Sequence, residues 1–272
     1  MPHMQRRTFL TSSLATASLG AVGLGARSQA VPGTSDGKGR EFYELRCYQL
    51  LSGPQRKLCD DFFRDALLPA LNRLGITPVG VFDVTIGPES PSIYVLMPSI
   101  SLETLVAVET RLAQDAVYLK AGAAFLNAPA TEPAFVRMES SLMQAFEKIP
   151  KLTLPAATAG NLPRVFELRT YESPSDQDHK RKVEMMQSGE EKIFANAGFT
   201  QVFYGDTLIG SRLPNLTYML SYESISEREK KWNAFRNAPE WKALSSQPRY
   251  AFENIVSSIT NVILTPTSYS QI

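Results

Sequence analysis

Glu44-Leu45-Arg46-Cys47-Tyr48 and Glu167-Leu168-Arg169-Thr170-Tyr171 each set a carboxylate, a guanidinium and a phenol at alternate positions. In a strand, alternate side chains share a face, so each trio forms one polar row. Two chemistries suit such a row. In the first, arginine clamps an anionic or phenolic ligand, tyrosine donates a hydrogen bond, and glutamate or tyrosine moves a proton. In the second, glutamate and arginine pair with each other and pack an interface, because either is costly to bury alone. Tyr204 and Tyr218 add phenols to the second half of the chain. The candidate ligand-binding residues are therefore Glu44, Arg46, Tyr48, Glu167, Arg169, Tyr171, Tyr204 and Tyr218.

Other chemistries are excluded by what the chain lacks. Beyond the N-terminal leader the one histidine is His179, set among Asp178, Lys180 and Arg181 like the solvated first turn of a surface helix. One histidine cannot build a His-rich zinc or iron site, so no metal and no cofactor is expected. No nucleophile elbow, P-loop or glycine-rich dinucleotide fingerprint occurs. Lys and Arg number 28 against 27 Asp and Glu, which offers no basic surface for nucleic acid. No apolar run beyond the leader is long enough to span a bilayer. Asp83 and Asp206 read as turn residues, or as strand residues sharing a face with Val81 and Tyr204 if alternation holds, and Trp232 and Trp241 read as core.

The elements that must position these residues are duplicated. Glu167 follows Glu44 by 123 residues, and the same offset joins Gly75 to Gly198, Asp83 to Asp206 and Pro91 to Pro214. Alternation predicts a first strand over 42–48, with Tyr43, Leu45 and Cys47 on one face and Glu44, Arg46 and Tyr48 on the other. A helix follows, capped by Ser52 and ended by Gly75, with Pro69 expected to kink or split it. Strands over 79–86 and 93–97, a helix capped by Ser101 and a strand around 140–144 complete a β-α-β-β-α-β unit. The second unit repeats this order. Its helices are expected to start at Ser173-Pro174-Asp176 and at a Ser226/Glu229 capping box. Ser257-Ser258-Ile259-Thr260-Asn261 is expected to answer Ser140-Ser141-Leu142-Met143-Gln144, an offset of 117. The domains are thus a leader over 1–30, a linker over 31–40, a first unit over 41–149, a linker over 150–163 and a second unit over 164–272.

Arg6-Arg7-Thr8-Phe9-Leu10 precedes a weakly apolar stretch and the small residues of Ser28-Gln29-Ala30, the order of a twin-arginine signal peptide. The protein is expected in the periplasm or outside the cell. Such a compartment permits a disulfide, and Cys47 and Cys59 are the candidate pair if the helix folds back over its strand; two free buried thiols are the alternative.

The E-L-R-x-Y openings, the Gly-terminated helices, the Trp232–Trp241 helix and the closing Ile263-Leu264-Thr265-Pro266 resemble the NIPSNAP family. The match is closer over 164–268 than over 41–146, where Glu109 stands in place of Trp232 and Tyr118 in place of Trp241. The resemblance implies an α+β fold: two tandem ferredoxin-like units whose sheets pack face to face as an intramolecular dimeric α+β barrel. Helices then cover one face of each sheet. On that basis Tyr43, Leu45 and Cys47 should face the helices, and the Glu-Arg-Tyr rows should line the space between the sheets. Three functional readings stand: a small-molecule or protein partner bound through the barrel, a cofactor-independent monooxygenase or isomerase, and a structural interaction module. A monomer suffices to close the barrel, and a homodimer is the alternative.

Overall fold

The described residues form eight strands: β1 (Phe42–Gln49), β2 (Gly80–Ile86), β3 (Ser92–Ser99), β4 (Arg137–Ala145), β5 (Val165–Glu172), β6 (Thr200–Ile209), β7 (Asn215–Tyr222) and β8 (Ser258–Pro266). The computed structural model describes residues 39–51 and 53–272. The expected signal peptide over 1–30, the expected linker up to residue 38 and the expected Ser52 cap lie outside the described residues.

The strands close one barrel in the order β1-β3-β2-β8-β5-β7-β6-β4, with every neighbouring pair antiparallel. Each repeat contributes four adjacent strands. The seams are β2 with β8, where Phe82 faces Pro266, and β4 with β6, where Ala145 faces Gly205. Closure removes the free edges that would otherwise template aggregation. Arg46 opposes Val95 and Arg169 opposes Tyr218, preserving the 123-residue offset. The last strands differ from expectation. Glu44 opposes Leu142 and Glu167 opposes Ile263, so the offset there is 121, not 117, and Asn261 answers Ser140. Pairing partners, rather than matching Ser-Ser dipeptides, set this register.

Each unit carries one long helix across its sheet, over 54–73 and 176–196. Both contain a single π turn at equivalent places, Phe63–Leu67 and Met186–Glu190. Pro69 neither splits nor ends the first helix. It follows the π turn, whose Leu68 N–H already bonds to the Phe63 carbonyl, so the ladder shifts just before the missing donor. In the second helix the path breaks at Gly189, whose φ of 142° suits a residue without a Cβ. Ser101 caps its helix as expected, through Thr104 N–H. Elsewhere the caps move: Ser175 caps the 176–196 helix and Ser224 caps Ile225–Asn237, while the Ser173 hydroxyl donates to the Ile255 carbonyl.

The barrel interior is filled by Tyr43, Leu45, Phe82, Phe166, Leu168, Phe203, Met219 and Leu264. A second core lies under the helices of the first repeat and includes Tyr48, Phe62, Phe63 and Phe125. A third lies under those of the second repeat and includes Tyr171, Phe194, Tyr218 and Trp232. The strand faces are therefore the reverse of those expected. Tyr43 and Leu45 point into the barrel, and the Glu-Arg-Tyr rows point toward the helices. An eight-stranded barrel is just wide enough for side chains to fill, so its inner face takes the bulky apolar set. Because both faces of β1 and β5 are covered, alternation marks two faces without saying which is inside. Among the described residues no helix is long and apolar enough to cross a membrane.

Candidate ligand-binding site

Glu167 lies mid-strand on the outer face of β5, wholly buried, and accepts five hydrogen bonds. Its Oε1 takes Arg169 Nη1 at 2.8 Å and Arg228 Nη2 at 2.6 Å. Its Oε2 takes Arg228 Nε at 3.0 Å, the Tyr222 hydroxyl at 2.8 Å and Trp232 Nε1 at 2.9 Å. Burial opposes the charge, but hydrogen bonds from Arg228, Trp232 and Tyr222 and the charge of Arg169 outweigh it, holding the carboxyl below its usual range. Burial pushes the Tyr222 phenol up, as does the adjacent Glu167 charge, so it serves as a donor.

Arg169 links this carboxylate to an open space. Its Nη2 donates to the Tyr171 hydroxyl at 2.8 Å, and its guanidinium carbon stands 4.5 Å from the Trp232 ring centre and 5.4 Å from that of Tyr171. Its Nε is buried without a partner. Lys182, on the long helix, pairs with Glu190, on the π turn, at 2.9 Å; both side chains are buried. Lys182 Nζ also lies 5.1 Å from the Tyr171 ring centre. These groups wall a cavity of about 470 Å³ between β5 and the helices, completed by Arg228, Trp232, Trp241, Tyr250 and Asn261. Four cations, Arg169, Lys182, Arg228 and Arg236, face it, against Glu190 in the wall and Glu167 directly behind Arg169 and Arg228. The size suits a small molecule, and the charge suits an anion.

The candidate residues therefore divide. Arg169 and Tyr171 line the cavity. Glu167 stands behind Arg169, and the Tyr218 hydroxyl donates to that of Tyr171 at 3.5 Å from beneath. Tyr204 lies deeper, stacked on Tyr218 with centroids 5.0 Å apart, and donates to Gln201. In the first repeat, among the described residues, side chains fill the equivalent positions. Glu44 accepts from Arg46 Nε at 2.6 Å and Ser140 Oγ at 2.8 Å, and Arg46 reaches Glu109 at 2.7 Å. Cys59, Leu67 and Leu105 stand where Lys182, Glu190 and Arg228 would be. Tyr48 packs edge-on against Phe63 and Phe135, and Phe62 stacks on Phe125 at 3.8 Å. One copy is filled with aromatic rings; the other is lined with charge.

Sequence reasoning passed over Lys182, Glu190, Arg228 and Trp232. A signal existed for the first three. Each meets a buried apolar residue of the other repeat at the 123-residue offset, which points to charges at core positions; Lys182 and Glu190 are buried and Arg228 is half-buried. Trp232 is core, as expected, but its N–H also serves Glu167.

His179 departs from the expected solvated position. It is buried, with Nε2 2.7 Å from Asp206 Oδ1. Arg56 holds Asp83 in the same way in the first repeat, with Nη2 at 2.8 Å from Oδ2. The two aspartates are thus anchors between strand and helix rather than turn residues. Cys47 and Cys59 are free thiols on opposite sides of β1, one facing the barrel interior and one in the helix core, so the candidate disulfide is absent. Burial pushes the Cys59 thiol up to about 12. Among the described residues no three His, Cys, Asp or Glu side chains are grouped to hold a metal ion.

The NIPSNAP family model matches residues 43–150 and 166–271, one copy for each repeat. The chain belongs to the NIPSNAP family. Comparison with curated proteins finds no match. Among solved structures, a protein of Fusobacterium nucleatum proposed to be a monooxygenase aligns with a TM-score of 0.55 at 10% identity, over 84% of this chain and 93% of that one. A Lactobacillus acidophilus protein with the same proposed activity aligns with a TM-score of 0.54 at 7% identity, over 84% and 94%. A NIPSNAP-like protein of Burkholderia xenovorans is 20% identical over 39% of this chain and 88% of its own, with a TM-score of 0.35. At these identities the two longer alignments establish the shared barrel fold and nothing of the chemistry.

Proposed function

We propose that this NIPSNAP protein binds a small planar anion in the cavity of its second repeat, and that its first repeat is a scaffold that closes the barrel. The observation that carries this reading is Arg169: a guanidinium held between aromatic rings that lines a cavity where cations outnumber anions. Trp232, Trp241 and Tyr250 supply flat surfaces for the ring of a ligand, and Arg169 and Arg228 supply donors for its charge. Calorimetric titration with benzoate, 4-hydroxybenzoate and the neutral analogue benzamide tests it. Binding of the two anions, weakened on the order of 10- to 100-fold in Arg169→Met, supports the reading. Equal binding of benzamide, or no binding of any of them, defeats it.

An enzymatic reading draws on the same cavity. Glu190 and Tyr171 face it beside Arg169, which puts proton-transfer groups next to a cation able to stabilise an enolate or phenolate. The fold shared with two proteins proposed to be monooxygenases is compatible with this cofactor-independent chemistry. Oxygen uptake with phenolic and dicarbonyl compounds is the assay, and no turnover across the panel removes the reading. Export by the twin-arginine route is proposed from the order of charge, apolar stretch and small residues in 1–30. Loss of the protein from the periplasmic fraction when Arg6 and Arg7 become lysines would bear it out.

A further inference from the structure

A second cavity, of about 400 Å³, opens at one end of the barrel, between the two sheets. It lies on the opposite face of β1 and β5 from the Glu-Arg-Tyr rows. Most inward positions are large and apolar, but at this end they change character. Thr170, Thr217 and Thr260 stand side by side across β7, β5 and β8, because Thr170 opposes both of the others. Facing them, Cys47 opposes both Tyr94 and Glu139 across β3, β1 and β4. All six line the cavity, with Ser141 and Asn215.

We propose that this end of the barrel binds a neutral polyhydroxylated molecule of sugar size. Hydroxyls dominate the wall, and each both donates and accepts. Thr170 and Thr217 share one hydrogen bond at 2.8 Å, and Thr260 accepts one from Arg212 at 3.0 Å, which leaves every threonine with unused capacity. The Tyr94 ring offers a flat apolar surface to the C–H face of such a ligand. Charge at the rim is of both signs and paired, three carboxylates against two guanidinium groups. Glu89 pairs with Arg137 at 2.8 Å, Glu139 lies 3.5 Å from the same arginine, and Arg212 lies 3.6 Å from Glu172. Nothing there selects an anion or a cation, in contrast to the cavity of the second repeat. Barrels of eight strands have room at their mouths for one small ligand.

Cys47 gives the test a built-in reporter, because it lines this cavity whereas Cys59 is fully buried elsewhere. The full chain is incubated with iodoacetamide in the presence of glucose, N-acetylglucosamine, myo-inositol or sucrose, and alkylation of Cys47 is followed by peptide mass spectrometry. Saturation-transfer NMR with the same four compounds runs beside it. The proposal expects at least one polyol to slow Cys47 alkylation several-fold and to receive saturation, with both effects lost in Thr170→Val/Thr217→Val. Binding of benzoate in the other cavity should be unchanged in that variant, which also shows that it folds. The proposal is overturned if no polyol protects Cys47, if protection survives in the double variant, or if benzoate protects equally well.

Discussion

Trp232 donates its indole N–H to Glu167 at 2.9 Å, and no such bond exists in the first repeat, where Glu109 replaces the tryptophan and pairs with Arg46. This substitution marks the divergence of the two copies. In one, the strand carboxylate takes three of its five hydrogen bonds from Arg228 and Trp232 on the helix and one from Arg169, whose guanidinium also lines a cavity. In the other, a helix carboxylate neutralises the arginine directly. Trp232→Phe keeps an aromatic ring, a smaller one, and removes the donor. The expected cost is about 1–3 kcal/mol, read as a lower urea midpoint with an unchanged slope.

Glu167→Gln removes the charge that holds both Arg169 and Arg228. Leaving the buried Arg169 and the half-buried Arg228 without their carboxylate should cost roughly 3–5 kcal/mol in urea unfolding. The pH dependence has a definite sign. The folded carboxyl titrates below its ordinary value of 4.5, so its contribution is complete above that pH and is lost as pH falls through the lower, folded value. Wild-type stability should therefore decline on acidification below pH 4.5 more steeply than that of Glu167→Gln.

The Lys182–Glu190 pair offers a comparison the duplication has already performed. Lys182→Met alone strands a buried carboxylate and should cost roughly 3–5 kcal/mol. Changing Lys182→Cys and Glu190→Leu together, the residues of the first repeat, should recover most of that stability while abolishing anion binding. A double variant no more stable than the single one would show that the pair is needed for the fold itself.

How much of this could be read from residues alone follows from the same comparison. The two β-α-β-β-α-β units were legible because one pattern recurs at one offset; that they form a barrel was implied by the resemblance to the NIPSNAP family. The Glu-Arg-Tyr rows were legible as rows. Their direction was not, since β1 and β5 are buried on both faces and Tyr43 is as inaccessible as Glu167. Lys182, Glu190 and Arg228 come from three helical positions that meet only after the helix has bent at Gly189. No local spacing joins them, although the apolar residues opposite them in the first repeat did indicate burial.

Cys47 and Cys59 face opposite sides of β1 and should stay reduced. Thiol titration of the denatured protein, purified without reductant, should give two free thiols per chain. Adding reductant should leave the melting temperature unchanged. A shift downward with reductant would mean that a bridge forms after all.

Trp232 and Trp241 are the only tryptophans in the chain, and both line the cavity of the second repeat, so tryptophan fluorescence reports on that cavity alone. Titrating 4-hydroxybenzoate into wild type, Arg46→Met and Arg169→Met while recording that fluorescence is the most direct measurement. The account predicts a saturable change in wild type and Arg46→Met and its loss in Arg169→Met; no saturable change in any of the three, or the same curve in all, would contradict it.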